Sequence, residues 1–187
     1  MKDDVKKITG VAVLLAIEIV LQAIGNYITP GPVSINLSLI PIALGAILYG
    51  PFAGGLLGLI NGVVVLLSPS TSVFLSYSLF GTIVTCLLKC TVAGFVSGLV
   101  YKLISKKSEL GGAIVASLLV PIINTALFVL AVFTIFFGLF NEAIGSENLV
   151  KYVFLTMIGW NFLLEFTVTA VLSPTIARII RIIKKEQ

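Results

Sequence analysis

Four polar residues stand inside apolar stretches of this sequence, where their side chains could recognise a small hydrophilic molecule. They are one cation, two amides and one carboxylate: Lys89, Asn124, Asn161 and Glu165. A charge at the centre of a bilayer costs about 2.5 kcal/mol or more on insertion scales, so Lys89 is expected to face protein or a wet cavity. Asn161 and Glu165 are four residues apart, which places both on one face of a helix. Together these groups offer the donors and acceptors of a polar pocket.

A structural interpretation of the same residues is also open. Lys89 and Glu165 could form a buried ion pair that holds a helical bundle together. A single intramembrane amide such as Asn124 often serves only to stabilise helix packing, by on the order of 0.6 kcal/mol.

Aromatic and acidic neighbours extend the candidate site. Trp160 adjoins Asn161, and Phe74 and Tyr77 precede the stretch that carries Lys89. We include these three as candidate substrate contacts, with the alternative that they are interface or core aromatics. For Glu18, packing, an amide partner and contact with another subunit all remain open.

The chemistry that is missing from the sequence argues against an enzyme. Histidine is absent, and Asp3 and Asp4 are the only aspartates. There is no HExxH sequence and no P-loop. Cys86 and Cys90 are one helical turn apart, but the further ligands of a metal site are missing, so we interpret them as small buried residues. We predict no catalytic residue, no metal and no cofactor.

The elements that must position these residues are membrane helices. Hydrophobic residues make up 58% of the chain, charged residues 11%, and mean hydropathy is +1.16. Soluble domains carry about 25% charged residues. The apolar runs are continuous rather than alternating, which favours helices over a β-barrel. We therefore predict an all-α membrane protein that forms a single domain over residues 1–187. We expect neither an ATPase nor a nucleic-acid module, and an amino terminus that is the first span rather than a cleaved signal.

We predict a bundle of six transmembrane helices. The predicted spans are residues 8–28, 35–49, 52–67, 78–104, 113–139 and 150–183, with loops at 68–72 and 141–148. The second and third spans are near 15 residues, below the roughly 20 that cross a bilayer comfortably, so a re-entrant hairpin is the alternative. Gly54, Gly58 and Gly62 form a groove for tight helix packing.

The basic residues orient this bundle. Six spans place ten lysines and arginines on one side and only Lys151 on the other. Since cytoplasmic loops carry an excess of lysine and arginine, both termini are predicted to be cytoplasmic. A five-span arrangement would break this pattern.

Two short stretches add a family resemblance. Ala12-Val-Leu-Leu-Ala16 is an AxxxA sequence, and residues 35–55 read INLSLIPIALGAILYGPFAGG, with a Tyr-Gly-Pro turn into a glycine-rich helix. With Lys89 in the fourth span and the asparagines of the last two, the chain resembles the substrate-binding S components of energy-coupling factor (ECF) vitamin transporters. The resemblance covers nearly the whole chain.

The resemblance implies a fold of six spans and specific roles for matching residues. Lys89, Asn124 and Asn161 would contact the ligand, as their counterparts do in the riboflavin-binding branch. Ala12 and Ala16 would dock on a transmembrane coupling subunit that is driven by two ATPase subunits.

It also implies a mechanism in the plasma membrane of a prokaryote. The subunit would capture a vitamin from outside and close loops 29–36 and 68–77 over it, which makes Asn36 another candidate contact. It would then topple in the membrane to release the ligand inside. Where the riboflavin branch usually has Asp-Ile-Pro, this chain has Leu39-Ile40-Pro41. The resemblance therefore leaves riboflavin, folate and pantothenate open.

Two further hypotheses come from other classes of protein. One is a stand-alone secondary transporter or channel that uses Lys89 and Glu165 as an ion relay. The sequence shows no internal repeat of the kind found in inverted-repeat carriers. The other is a membrane scaffold without a ligand.

Overall fold

The computed structural model describes residues 2–27, 34–144, 146–153, 155 and 159–185. The regular structure of these residues is helical. In chain order the elements are α1 (Lys2–Tyr27), α2 (Leu39–Tyr49), α3 (Pro51–Leu66), a 3₁₀ turn (Pro69–Thr71), α4 (Ser72–Tyr77), α5 (Leu79–Ile104), α6 (Glu109–Thr134), α7 (Phe137–Ile144), α8 (Ser146–Tyr152) and α9 (Trp160–Lys185).

Three of the described helices are long and apolar enough to cross a membrane. They are α1, over Asp4–Tyr27, together with α5 and α6. A fourth span exists if α3 and Pro69–Tyr77, which meet at 75°, count as one broken span. Two shorter apolar helical stretches are Leu39–Tyr49 and Asn161–Ser173. The described chain is therefore an all-α membrane fold, and the number of six spans stays a prediction.

The region around the predicted fifth span differs from the sequence-based boundaries. α6 begins at Glu109 because the side chain of Ser108 caps it, accepting a hydrogen bond from the Gly111 N–H at 3.1 Å. It ends at Thr134, and α7 and α8 occupy most of the stretch predicted as a loop at 141–148. Buried Phe136 and Phe140 anchor this part of the chain in an apolar cluster. The predicted loop at 68–72 likewise contains the 3₁₀ turn and the start of α4.

α2 lies at the centre of the described bundle. Its sequence, LIPIALGAILY, is apolar on every side, as expected for a helix surrounded by others. Leu39, Ile42 and Ala43 are at most 1% exposed and pack with Leu57 of α3 and Val120 of α6.

Glycines bring α3 and α5 into direct backbone contact. A Cβ atom on Gly62 would lie 2.7 Å from the carbonyl oxygen of Cys86, and one on Gly58 would overlap the carbonyl of Cys90. Only glycine, which has no side chain, allows the backbones of α3 and α5 to come this close. The contact fixes the rotation of α5 about its axis. Lys89, next to Cys90, is thereby held in the interior with 8% of its surface exposed.

Candidate functional site

Helices α5, α6 and α9 enclose a cavity together with the end of α1 and two connecting segments. The space within it and in front of its mouth, open solvent included, is about 740 Å³. Six of the eight candidate substrate contacts predicted from the sequence line it: Asn36, Phe74, Lys89, Asn124, Asn161 and Glu165. The structure thus brings together side chains that lie up to 129 residues apart in the sequence.

Lys89 supplies the positive charge of the cavity wall. Its Nζ atom lies 5.1 Å from the centroid of the Phe128 ring. An ammonium over an aromatic face gains a cation–π attraction, which partly replaces the hydration that the charge has lost. The remaining donors of Lys89 are available to an anionic or carbonyl group of a bound molecule.

Glu165 supplies the carboxylate, and its partner is the backbone of the chain. The N–H of Asn36 donates to Oε1 of Glu165 at 2.8 Å, and Glu165 is 7% exposed. Lys89 instead faces Phe128. Within the described residues, no ion pair joins Lys89 to Glu165, so the buried ion pair considered from the sequence does not hold this bundle together.

The two asparagines complete the polar wall. Asn124 and Asn161 are 5% and 6% exposed, and both line the cavity. The Cys90 thiol lies 3.5 Å from both the Asn124 Oδ1 and the Asn61 Nδ2, so it bridges helices as a buried structural residue. In the described part of the chain, no group of three or more histidine, cysteine, aspartate or glutamate side chains could hold a metal ion.

Aromatic rings cover the apolar side of the cavity. Phe74 of α4 makes edge-to-face contacts with Phe128 (centroids 5.8 Å apart) and Phe136 (5.1 Å). Phe162 of α9 adds a fourth ring to the lining. A planar or partly apolar ligand would be held by such rings, while the amides and charges set its orientation.

Two predicted aromatic contacts stand apart from this group. Tyr77 is not among the cavity-lining residues; it is 43% exposed, and its ring centroid lies 6.4 Å from that of Phe136. α4 ends at Tyr77, whose hydroxyl lies against Gly138 of α7. The side chain of Trp160 lies outside the described residues.

A buried polar network beside the cavity was not predicted. Gln22, Ser38 and Asn61 are at most 1% exposed. The Ser38 hydroxyl lies 3.2 Å from the Gln22 Oε1 and 2.6 Å from the Asn61 Oδ1, and it also contacts the Asn36 Oδ1. The available signal was the spacing of Glu18, Gln22 and Asn26 at every fourth position of the first span.

α1 carries two different faces. Glu18 is fully buried, and neither of its carboxylate oxygens has a hydrogen-bond partner among the described residues. Ala12 and Ala16 lie on the exposed side of the helix, in line with the exposed Val20 and Ile24. Small residues one turn apart on an exposed apolar face allow another helix to approach closely.

Comparison with known proteins gives one match. A family model described as "ECF transporter, substrate-specific component" matches residues 6–177. No curated protein and no solved structure matches this chain.

Proposed function

Because this chain belongs to the family of ECF transporter substrate-specific components, we propose that its cavity captures a water-soluble vitamin or related micronutrient, riboflavin-like or pantothenate-like. The family consists of multi-pass membrane proteins that bind small-molecule substrates and work with an ECF module of membrane and ATPase subunits. A transport component of this kind is not an enzyme.

The observation that carries the proposal is the convergence of polar groups on one cavity. Lys89, Glu165 and the amides Asn124 and Asn161 come from three helices and face the same space. A few polar groups in an otherwise apolar pocket give orientation and specificity.

The chemistry of the wall limits the substrate class. Lys89 suits a carboxylate or a carbonyl group, and the asparagine amides suit the edges of a heterocycle or an amide. The phenyl rings of Phe74, Phe128 and Phe162 suit a flat ring system or an alkyl chain. Pantothenate offers the carboxylate and the amide, and riboflavin offers the flat heterocycle.

Delivery follows capture in this proposal. The chain takes its ligand from outside a prokaryotic plasma membrane, with both termini in the cytoplasm. It then docks through Ala12 and Ala16 on a transmembrane coupling subunit driven by two ATPases. The exposed small-residue face of α1 supports this step.

Purified protein tests the proposal directly. Mass spectrometry of the small molecule that copurifies would identify the ligand, and binding of riboflavin and pantothenate would be measured without ATP. We expect nanomolar binding of one vitamin, and uptake into liposomes only when an ECF module is included. Uptake by this chain alone would overturn the proposal and favour a stand-alone transporter that uses Lys89 and Glu165 as a relay.

A further inference from the structure

The end of α1 is joined to the cavity wall by a chain of buried polar contacts. Gln22 of α1 contacts the Ser38 hydroxyl at 3.2 Å, Ser38 contacts the side chain of Asn36, and the Asn36 N–H donates to Glu165 at 2.8 Å. Each of these four residues is less than 9% exposed. The chain therefore runs from the helix with the Ala12 and Ala16 face to a carboxylate inside the cavity.

A second set of contacts joins the same end of α1 to both segments beside the cavity. A Cβ atom on Gly25 would overlap the carbonyl oxygen of Ile35, so the backbone of α1 touches the segment that holds Asn36. Asn26 accepts hydrogen bonds from Gln22 at 3.2 Å and from Ser68 at 2.7 Å. A shift of this end of α1 would therefore also move Ile35 and Ser68, which belong to the two segments beside the cavity.

These contacts are largely shielded from water, because Gln22, Ser38, Asn36 and Glu165 are all buried. A buried polar group that loses its partner in such surroundings pays the desolvation penalty in full. It therefore costs less free energy for the groups in contact to move together than to separate. A displacement of α1 should reach Asn36 and Glu165 through Gln22 and Ser38.

We propose that Gln22 and Ser38 are positioning residues through which the placement of α1 sets the position of Asn36 and Glu165, and thereby access to the cavity. The role of α1 in docking rests on the proposed function. The path itself rests on the polar contacts above. Coupling of this kind is reciprocal: if docking changes the affinity for the ligand by some factor, a bound ligand changes the affinity for docking by the same factor.

Cys86 provides a probe that requires no knowledge of the ligand. It lines the cavity and is 6% exposed, whereas Cys90 is fully buried. The rate at which N-ethylmaleimide modifies Cys86 would be measured by mass spectrometry. The same measurement on Cys86→Ala supplies the background.

The first experiment uses the isolated protein in nanodiscs. Ser38→Ala and Gln22→Met each break the path, and we expect each to raise the Cys86 labelling rate at least threefold. Ser97→Ala is the matched control, because Ser97 is equally buried and its hydroxyl donates to the Ala116 carbonyl at 2.7 Å, away from α1. Equal rates in Ser38→Ala, Gln22→Met and Ser97→Ala would overturn the proposal whatever the protein transports.

The second experiment compares free and docked protein. With the ECF module bound, we expect the labelling rate to change at least threefold in the natural protein and in Ser97→Ala. In Ser38→Ala and Gln22→Met the change should be less than half as large, at unchanged folded yield. The same change in all four proteins would contradict the coupling. Failure of the natural protein to bind any module would instead count against the proposed function, and the first experiment would still decide the path.

Discussion

The backbone N–H of Asn36 donates a hydrogen bond to the Glu165 carboxylate at 2.8 Å, which ties the segment ahead of α2 to α9. Glu165 thus has two roles: its carboxylate lines the cavity, and it holds in place the backbone segment at Asn36 that borders the cavity. The Nδ2 atom of Asn36 is buried without a hydrogen-bond partner in the described part of the chain.

Glu165→Gln separates the charge of Glu165 from its role as an acceptor. The amide oxygen of glutamine can still accept the Asn36 N–H, whereas Glu165→Ala leaves that N–H unsatisfied. We expect Glu165→Gln to bind the copurifying vitamin within about threefold of the natural affinity and Glu165→Ala to bind at least tenfold more weakly, about 1.4 kcal/mol. Isothermal titration calorimetry measures both. Equal losses would show that the charge contacts the ligand.

Removing Lys89 or Asn161 should weaken ligand binding without unfolding the protein. We expect Lys89→Ala and Asn161→Ala each to raise the dissociation constant at least tenfold, because each deletes a buried polar group of the cavity wall. Folded yield is checked by size-exclusion chromatography, and Ser97→Ala serves as a buried control away from the cavity. Normal binding by both variants would mean that the polar cluster is structural.

Substitutions on the exposed face of α1 should separate docking from binding. Ala12→Trp or Ala16→Trp places a large ring where a partner helix would approach, so we expect loss of complex formation and uptake with ligand affinity unchanged. Leu130→Trp is the control, since Leu130 is 59% exposed on α6. Copurification with the ECF module and vitamin uptake are the measurements. Loss of ligand binding in the α1 variants would refute the separation of the two roles.

Two glycines of α3 should differ sharply in their tolerance of a methyl group. The added Cβ of Gly58→Ala would meet the Cys90 carbonyl, so the α3–α5 contact must open, and overpacking of this kind costs about 1–3 kcal/mol. The Cβ of Gly55→Ala would be 3.5 Å from the nearest atom of Phe95, an ordinary contact, with an effect within about 0.5 kcal/mol. Thermal denaturation in detergent should show a lower midpoint for Gly58→Ala alone. Equal midpoints would mean that the helices adjust without cost.

Much of the fold could be predicted because membrane helices are encoded locally. A long apolar run predicts a helix wherever it lies, and this holds for α1, α5 and α6. The helical structure within residues 141–148 was not predicted, since its polar residues resemble a loop, while Phe136 and Phe140 pack into an aromatic cluster with residues distant in the sequence.

The sequence by itself determined the membrane character of this protein, the polar residues within its apolar stretches and the small-residue faces of α1 and α3, because these depend on composition and helical spacing. Tertiary structure decided which of those polar groups meet. It placed Lys89 over Phe128 rather than beside Glu165, gave Glu165 the Asn36 N–H, brought Gln22 to the cavity and left Tyr77 outside it. The reason is physical: the rotation of each helix about its axis is fixed by contacts with neighbours far along the chain, such as Gly58 against Cys90.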